Sequence, residues 1–584
     1  MRSFFKIFFA SLLALVIFTL LIFFFLMAYV GSVASKDQPQ IFAKSVLVLD
    51  LGQHYAEQIQ KDPLKILKSD NDDVPGLYDV VRLLRNAKTD KNIAGIYLMA
   101  GNNSNGFASS EEIRNALSDF KQSGKFIIAY GDMISQKAYY IANIADKIYT
   151  GPQGFVEWFG LSAEYVFIKG TLDKLEIQPQ IFYAGKFKSA TEPLRSDRMT
   201  PENKLQTSVW LNDLYNDLLV KTSETRKIDT ATLHQLANEA KIQNAEDAVN
   251  YKLIDGIKYD DEVKDEIKSK LKIDKYEMIN FVSINTYLEA GNISRGSGDK
   301  IAVIYAEGDI VDGKSDEKVI ASDVYRNLLR KARLDRSVKA IVLRVNSGGG
   351  SSLASETIWR ELSLAKKENK PVIVSFGDVA ASGGYYISCG ADSIFAHPTT
   401  ITGSIGVFGI IPNMESFFKN KLGVTFDGVK TGPYADAGAI YRPMNDNEKE
   451  MIQGMIDMIY VQFKQRVADG RKLDTAYVDS IAQGRVWTGA RAKDIGLVDR
   501  FGGLDDAIQC AARMAKLKEY RVTEYPKPKT IFEQLFGEDE PLTFTKKMKE
   551  TLGEDNYKIF KEVKRIKEIT GSAQARMPFE IFIH

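Results

Sequence analysis

The sequence has few of the residues that carry metal or redox chemistry. Among its 584 residues there are only two cysteines, Cys389 and Cys510, and four histidines. Two cysteines are too few for a disulfide framework. The histidines are too scattered for the HExxH motif of a zinc-binding helix. We therefore expect no bound metal. The histidines are His54, His234, His397 and His584.

Signs of nucleotide or nucleic-acid binding are also absent. No G-x-G-x-x-G follows a predicted strand, and no GxxxxGK[ST] occurs, so the sequence predicts no nucleotide cofactor. The formal net charge is +1, which gives no electrostatic reason for a nucleic-acid partner. Apolar residues make up 45% of the chain and charged residues 26%, as in ordinary globular proteins, and the length predicts several domains.

A long hydrophobic run stands at the N-terminus. Residues 7–30 are uncharged and mostly apolar, and as a helix they would span about 36 Å, enough for a bilayer. A signal peptide cleaved after Ala34 is the alternative, but its apolar region would be shorter. We predict an uncleaved anchor within residues 1–35. Arg2 and Lys6 would stay in the cytoplasm, and the rest of the chain would face outward, into the periplasm of a Gram-negative cell.

Short β-rich runs alternate with helical patterns along the rest of the chain. This alternation indicates βαβ units and an α/β fold. Predicted strands lie at 45–51, 93–100, 125–132, 146–152, 300–310, 338–350, 371–378 and 392–398, and predicted helices include 111–124 and 353–367.

The pattern occurs twice, displaced by about 245 residues. Residues 124–152 resemble 369–398, and 248–256 resemble 492–500. The Gly/Ser-rich stretch 290–300 has the composition of a linker. We therefore predict a tandem duplication with domains at 45–290 and 298–525, followed by a charged, helix-prone tail at 526–584.

The two halves differ where chemistry would occur. In the register of the repeat, Gln136 stands opposite Ser382, and Lys188 stands opposite Ala435. One half thus offers a serine and the other a lysine. Asp132 and Asp378 are interpreted as strand ends, and His397 as a structural residue.

Ser382 lies between an alanine and a Gly-Gly pair, and it needs a base to become a nucleophile. Lysine can serve as that base, because burial lowers a pKa that is otherwise about 10.4. Lys188 has apolar neighbours such as Phe187. Lys186 would point to the same side of a strand and stays open as the alternative base.

An oxyanion hole is the second requirement of acyl transfer. The stretch 342–352 reads as a strand that runs into three glycines before a helix, an arrangement that exposes N–H groups at a helix N-terminus. Gly383, next to Ser382, is the natural second donor.

Four motifs together resemble the signal peptide peptidase A (protease IV) family, peptidase family S49, in its double-length membrane-anchored form. They are GKFKSATEP, NSGGGSS, ASGGYY and TTITGSIGVFG, behind the N-terminal anchor. The resemblance covers nearly all of residues 7–525. It implies two ClpP/crotonase-like domains and a Ser-Lys endopeptidase that degrades released signal peptides and other apolar peptides, assembled as a homotetramer.

The resemblance also implies roles for individual residues. Ser382 matches the nucleophile, Lys188 the general base, and Ser404 a serine that hydrogen-bonds the lysine. Gly350 (or Gly349) and Gly383 match the oxyanion donors. The sequence departs from the family's Ser-Pro-Gly-Gly pattern by having Gly348 in place of proline, and we expect a softer oxyanion loop for that reason.

Two other classes of protein remain as alternatives. A crotonase-type acyl-CoA enzyme would share the fold, but it needs no serine nucleophile and would find little CoA outside the cytoplasm. A non-catalytic membrane scaffold related to stomatin-associated proteins would lack the nucleophile or the base.

Overall fold

A long apolar helix and three main β-sheets dominate the part of the chain that the structure describes. The computed structural model describes residues 2–34, 39–59, 74–291, 296–315, 319–527, 573–577 and 582–583. Helix α1 (Arg2–Ala34) contains a stretch, Phe4–Ile22, with mean hydropathy 2.6. Within the described residues it is the one helix long and apolar enough to cross a membrane. The predicted apolar run thus forms a single continuous helix.

The first half is built on a parallel sheet whose strands are buried on both faces by helices. Its six strands have the order β10-β1-β2-β3-β5-β9, and every neighbouring pair is parallel. The strands of this half are β1 (Ser45–Asp50), β2 (Ile93–Met99), β3 (Phe126–Tyr130), β4 (Met133–Ile134), β5 (Lys147–Thr150), β6 (Phe155–Val156), β7 (Ala163–Glu164), β8 (Gln178–Ala184), β9 (Gly256–Ile257) and β10 (Phe281–Ser283). Its helices are α2 (Leu77–Thr89), α3 (Phe107–Lys121), α4 (Gln136–Ala142), α5 (Lys169–Lys174), α6 (Glu192–Arg195), α7 (Pro201–Arg226), α8 (Thr230–Asn238), α9 (Ala245–Asn250), α10 (Asp260–Leu271) and α11 (Ile284–Glu289).

The second half repeats this plan with a larger sheet. Its main path is β20-β18-β16-β14-β11-β22, with β17 beside β16 and β21 beside β17. Strands β11 (Asp299–Glu307), β14 (Val338–Ser347) and β16 (Val372–Ala381) are rich in Val, Ile, Leu and Ala and mostly buried, as expected for parallel strands covered on both faces. The strands are β11 (Asp299–Glu307), β12 (Ile310–Val311), β13 (Ile320–Ala321), β14 (Val338–Ser347), β15 (Gly349–Ser351), β16 (Val372–Ala381), β17 (Ser393–Ala396), β18 (Ile401–Gly403), β19 (Val407–Asn413), β20 (Val486–Thr488), β21 (Arg500–Phe501), β22 (Tyr520–Tyr525), β23 (Gln574–Arg576) and β24 (Phe582–Ile583). The helices are α12 (Ser322–Leu334), α13 (Ser352–Lys367), α14 (Gly383–Ser388), α15 (Asp446–Arg471), α16 (Thr475–Ile481), α17 (Gly489–Asp494) and α18 (Leu504–Met514).

A third sheet, which the sequence does not predict, joins the two halves. Its order is β13-β12-β15-β23-β19-β8. Strand β8 comes from the first half and pairs antiparallel with β19 of the second half along their whole length. Strand β23 comes from the C-terminal tail and lies between β15 and β19. The described tail residues in β23 and β24 are therefore strands where the sequence predicts helix, and residues 528–572 lie outside the described part.

The same long-range contacts occur in both halves. The hydroxyl of Tyr139 donates to the carbonyl of Leu253 at 2.6 Å, and that of Tyr385 donates to Leu497 at 2.9 Å. Lys125 donates to the carbonyls of Ala87 and Asp90, and its counterpart 245 residues later donates to those of Ala332 and Asp335. These repeated contacts confirm the predicted α/β class and its tandem arrangement.

Candidate active site

Ser382 occupies a sharp turn between strand β16 and helix α14. Its backbone has φ 53° and ψ −114°, a region that costs a non-glycine residue free energy. Its N–H donates to the carbonyl of Gly403 at 2.8 Å, and its own carbonyl accepts from the N–H of Tyr386 at 2.8 Å. The side chain does not cap α14 and is fully buried. The turn therefore fixes the hydroxyl while leaving it available to other groups.

Lys188 reaches this serine from the other half of the chain. It follows β8, whose residue Ala184 pairs with Val407 on β19. The Nζ atom of Lys188 lies 2.8 Å from the Oγ of Ser382. It also lies 3.1 Å from the Oγ and 3.2 Å from the carbonyl oxygen of Ser404. The structure thus brings together three residues that were selected from the sequence in two different halves.

The surroundings of Lys188 favour a neutral amine. The side chain is 1% exposed, and burial alone lowers its pKa well below 10.5. A neutral amine has two N–H donors and one lone pair. Donation to the two oxygen atoms of Ser404 would use both N–H groups, which leaves the lone pair facing the hydroxyl of Ser382. This arrangement lets the lysine accept the proton of the serine.

Two glycines pack against the lysine, and one of them, Gly484, lies outside the motifs quoted above. Gly484 has φ +72°, and a Cβ added there would lie 2.7 Å from the Cβ of Lys188. A Cβ on Gly406 would lie 3.1 Å from the Cδ of Lys188. The N–H of Phe187 donates to the carbonyl of Gln483 at 2.8 Å, which ties the two loops together. Sequence reasoning missed Gly484, because a lone glycine in a loop gives no sign of what packs against it.

Lys186, the alternative base, is exposed and lies away from these contacts. Its Nζ sits 5.5 Å from the centre of the Phe187 ring. The stretch after β8 is a turn and not a strand, because the N–H of Lys188 donates to the carbonyl of Gly185 at 3.0 Å. The premise that both lysines point to one side therefore does not hold.

The glycine-rich stretch forms a strand and does not lie at the N-terminus of a helix. Gly349, with φ +100°, and Gly350 belong to β15, which lies between β12 and β23. A Cβ on Gly350 would lie 1.9 Å from the carbonyl oxygen of Ile310, so only glycine fits. The N–H of Gly349 donates to the Oγ of Ser347 at 3.1 Å. Helix α13 begins only at Ser352, so the expectation of N–H groups at a helix N-terminus is wrong for these glycines.

Gly383 opens helix α14 directly after Ser382. A Cβ added to Gly349 would lie 2.6 Å from the backbone nitrogen of Gly383. The predicted donors thus border one small space beside the serine.

The residues matched to the site in the repeat have structural roles. Gln136 begins α4, and its side-chain oxygen accepts from the N–H groups of Phe159 and Gly160 at 3.0 and 3.1 Å. Ala435 lies exposed in a turn, in a segment without a strand equivalent to β8. Within the described residues, the strand that precedes the lysine is therefore found in the first half alone.

His397 and Asp378 hold the two halves together. The Nδ1 atom of His397 lies 3.5 Å from the carboxylate of Glu111, and its Nε2 lies 3.5 Å from that of Glu112. Burial lowers the pKa of His397, but the two carboxylates outweigh this effect and raise the pKa to about 10. Asp378 accepts from the N–H and the hydroxyl of Ser109 at 3.0 and 2.5 Å. Asp132 follows β3 and accepts from the hydroxyl of Tyr130 at 2.6 Å.

Comparison with known proteins defines the class of this chain. The model of "Peptidase family S49" matches residues 119–274 and again 364–518. The two matches cover more than half of the chain and repeat at the offset seen in the sequence. The molecule is a serine peptidase with two tandem domains. The chain belongs to peptidase family S49.

Individual relatives agree with this assignment. Protease 4 of Salmonella typhi is 39% identical over 472 residues, which are 79% of this chain and 75% of that protein. The chloroplastic serine protease SPPA of Arabidopsis thaliana is 33% identical over 76% of this chain and 67% of that protein. A ClpP1 point mutant from Listeria monocytogenes aligns with 35% of this chain and 94% of its own, at 15% identity and a TM-score of 0.24.

Family membership also decides between the classes of protein considered above. A peptidase accounts for the family match and for the relatives, whereas neither the acyl-CoA enzyme nor the non-catalytic scaffold does.

Proposed function

We propose that this peptidase works through a Ser-Lys dyad in which Ser382 is the nucleophile and Lys188 the general base. The observation that supports this most strongly is the 2.8 Å contact between Nζ and Oγ, made by a lysine that is almost fully buried. Neutral Lys188 takes the proton of Ser382 as its oxygen attacks the peptide carbonyl. Lysine then protonates the leaving amine, and water hydrolyses the acyl-enzyme. Ser404 is the positioning residue, since its two oxygens orient the amine.

The oxyanion would be held by backbone N–H groups of Gly350 and Gly383. Gly350 is preferred over Gly349, because the N–H of Gly349 turns back to the Oγ of Ser347, whereas the N–H of Gly350 faces the neighbouring strand β23. Strand β15 pairs with β12 and β23, which holds the backbone of Gly350 in place. The structure replaces the expected soft loop with a paired strand, which reduces the reorganisation needed in the reaction.

We further propose that the substrates are released signal peptides and other apolar peptides at the outer face of the cytoplasmic membrane. The apolar stretch of α1 would span the bilayer through residues 7–30, with the N-terminus in the cytoplasm and the catalytic domains outside, in the periplasm of a Gram-negative cell. Signal peptides carry an apolar segment, so an anchored enzyme meets them where they are released. A homotetramer remains part of this proposal on the family resemblance. No cofactor is required by the mechanism.

The first prediction concerns the dyad. In the full-length protein in detergent micelles, Ser382→Ala and Lys188→Met should each lower the rate of hydrolysis of a quenched fluorescent peptide with a leucine-rich centre by about 10³-fold or more. The reason is that each removes one partner of the proton transfer.

Lys186→Met is the matched control, since it removes the same charge two residues away, and it should retain wild-type turnover. Turnover close to that of the wild type in either dyad variant would refute the mechanism. Loss of activity in Lys186→Met with retention in Lys188→Met would transfer the role of base to Lys186.

A further inference from the structure

A buried polar side chain of helix α7 packs against the turn that carries the lysine. Gln206 is 2% exposed. The residues that follow it on the same face of the helix, Trp210 and Leu214, are apolar and pack with Val486 of β20. A glutamine in line with such residues is unfavourable for folding unless its amide is hydrogen-bonded. The partners of that amide therefore show which segments the side chain holds together.

The amide nitrogen of Gln206 bonds to both neighbours of Lys188. Its Nε2 donates to the carbonyl of Phe187 at 3.2 Å and to the Oγ of Ser189 at 3.0 Å. These residues stand directly before and after Lys188 in the chain. The carbonyl of Phe187 belongs to the same peptide unit as the N–H of Lys188, so the bond restricts rotation of the backbone that bears the lysine side chain.

The amide oxygen of Gln206 bonds to the second half of the chain. Its Oε1 accepts from the N–H of Val486 at 3.1 Å. The carbonyl of Arg485, one residue earlier, accepts from the N–H of Ser404 at 2.7 Å. Ser404 has φ +49°, a conformation that a serine keeps only where its neighbours hold it. One amide thus connects the turn of Lys188 with the segment that holds Ser404.

Further contacts fix the orientation of this amide. The Nε2 of Gln206 also lies 3.1 Å from the Oδ1 of Asn203, almost one turn earlier in α7. Asn203 in turn donates from its Nδ2 to the buried carboxylate of Glu192 at 2.9 Å. The N–H of Val486 can only donate and the carbonyl of Phe187 can only accept, so the amide has a single orientation.

We propose that Gln206 is a positioning residue of the peptidase reaction, which keeps Lys188 within hydrogen-bonding distance of both Ser382 and Ser404. The proposal rests on the proposed function of the Ser-Lys dyad. Because the lysine side chain is long and flexible, its 2.8 Å contact with Ser382 requires its backbone to stay in one place relative to the second half. Within the described residues, the hydrogen bonds of Gln206 do not include the Nζ of Lys188 or the Oγ of Ser382, so its effect on the rate passes through the placement of the lysine.

Steady-state kinetics of the full-length protein in detergent micelles test the proposal. Gln206→Met keeps the approximate length and volume of the side chain and removes its donors and its acceptor. We expect kcat for the quenched fluorescent peptide to fall by about 10²-fold, because a small misplacement of a general base has an effect of this size, while KM changes by less than about twofold. Each rate is divided by the fraction of folded protein, measured by circular dichroism, so that a loss of stability alone does not lower it.

Gln136→Met is the matched control. Gln136 is also a buried glutamine, and its amide bonds to backbone groups of Phe159 and Gly160 in the first half. This variant should lower stability and leave kcat per folded molecule unchanged. A wild-type kcat in Gln206→Met, or an equal loss of kcat in Gln136→Met, would overturn the proposal.

Gln206→Asn covers the case in which Gln206→Met does not fold. It keeps the amide but shortens the side chain by one methylene, so the amide no longer reaches both halves. The value of kcat should fall by about tenfold with KM unchanged. A wild-type kcat in this variant would also contradict the role assigned to Gln206.

A double-mutant cycle distinguishes positioning of the amine from a general effect on folding. Gln206→Met and Ser404→Ala would each loosen the contacts of the same amine. The double variant should therefore be about as slow as the slower single variant, whereas independent losses of rate would multiply. A multiplied loss would count against the assignment.

Ser382→Ala is assayed alongside these variants. Activity retained in Ser382→Ala would refute the proposed function itself. Loss of activity in Ser382→Ala together with a wild-type kcat in Gln206→Met would overturn the role of Gln206 and leave the proposed function standing.

Discussion

At the scale of single residues, the site depends on a lysine placed where its charge is unfavourable. Lys188 is held between Ser382 and Ser404 in a buried position, and its pKa is lowered by that burial. The same burial that suits Lys188 to the proposed role of base is unfavourable for folding, because an ammonium group would lose its hydration there. Catalysis and stability therefore oppose each other at this residue, and two predictions follow from that opposition.

The second prediction is the pH dependence of activity. The base must be unprotonated, so kcat/KM should rise with pH through the pKa of Lys188, at a midpoint well below 10.5. Ser404→Ala removes one acceptor for the ammonium form, so it should lower both kcat and this midpoint. Peptide hydrolysis measured between about pH 5 and pH 11 gives the profile.

Ser363→Ala is the control for that profile. It removes a half-buried serine whose hydroxyl donates to a helix carbonyl at 2.8 Å, and it should leave the midpoint unchanged. A wild-type midpoint near 10.5 would show that the lysine is not perturbed and would refute this account.

The third prediction is that a variant which loses activity by losing Lys188 becomes more stable. Lys188→Met should raise the free energy of unfolding by about 1 kcal/mol or more at neutral pH. The lowered pKa of Lys188 means that the unfolded chain binds more protons than the folded one. The cost of Lys188 to the free energy of unfolding is therefore largest below its pKa in the folded protein and disappears toward pH 10.5. Thermal unfolding at several pH values should show this gain shrinking as the pH rises. Ser382→Ala is the comparison, and an equal gain in both variants would argue against a lysine-specific cost.

At the scale of secondary-structure elements, the pairing of β8 with β19 brings Lys188 of the first half to Ser404 of the second. The pairing of Ala184 with Val407 fixes the distance between the turn that holds Lys188 and the loop that holds Ser404. The loop at Gln483 and Gly484 then closes over the stem of the lysine. The geometry of the dyad is thus set by backbone pairing and close approach, and it should be sensitive to small additions of volume.

The fourth prediction tests that close approach. Gly484→Ala should lower peptide hydrolysis by about 10²-fold, since its Cβ would lie 2.7 Å from that of Lys188 and would push the amine away from Ser382. The positive φ of +72° adds strain. Gly432→Ala serves as the control, because an added Cβ there meets nothing within 4 Å. Full activity in Gly484→Ala would show that this contact does not position the lysine.

At the scale of the whole molecule, buried charges connect the two halves. Arg344 of the second half contacts two carboxylates of the first half. Its Nε lies 2.8 Å from Oε2 of Glu57, and its Nη2 lies 2.7 Å from Oε1 of Glu112. His397 adds contacts to Glu111 and Glu112. Removing one member of such a cluster leaves the others without compensation, which is costly in a buried interface. The proposed dyad is formed across this interface, so we expect the integrity of the interface to matter for activity as well as for stability.

The fifth prediction concerns His397 in that interface. Its pKa is raised from 6.5 to about 10, so its contribution to stability is complete below pH 6.5 and is lost as the pH rises through 10. His397→Gln should lower the free energy of unfolding by about 3 kcal/mol at pH 6, and by much less near pH 10. Chemical denaturation at the two pH values measures the difference. His234→Gln changes an exposed histidine and should have little effect on the free energy of unfolding at either pH. An equal loss of stability in this control would contradict the role assigned to His397.

The sequence by itself determined the elements and the repeat. Alternating apolar runs predict β2, β3, α3 and α13 to within a few residues, because periodicity and burial are local properties of a chain. The displacement of about 245 residues between similar segments identifies the two domains, and the family model finds the same displacement. The small residues around Ser382 and the motif around Lys188 were enough to propose both residues, with Lys186 left open as the alternative base.

Only the tertiary structure decided how these pieces meet. We prefer Lys188 to Lys186 as the proposed base because of the turn after β8, and Gly350 to Gly349 as the proposed donor because the N–H of Gly349 donates to Ser347. The enclosing Gly484 and the tail strand β23 depend on contacts between segments distant in sequence. Pairing across such distances leaves no period or spacing in the chain, because the free energy comes from partners that only folding brings together.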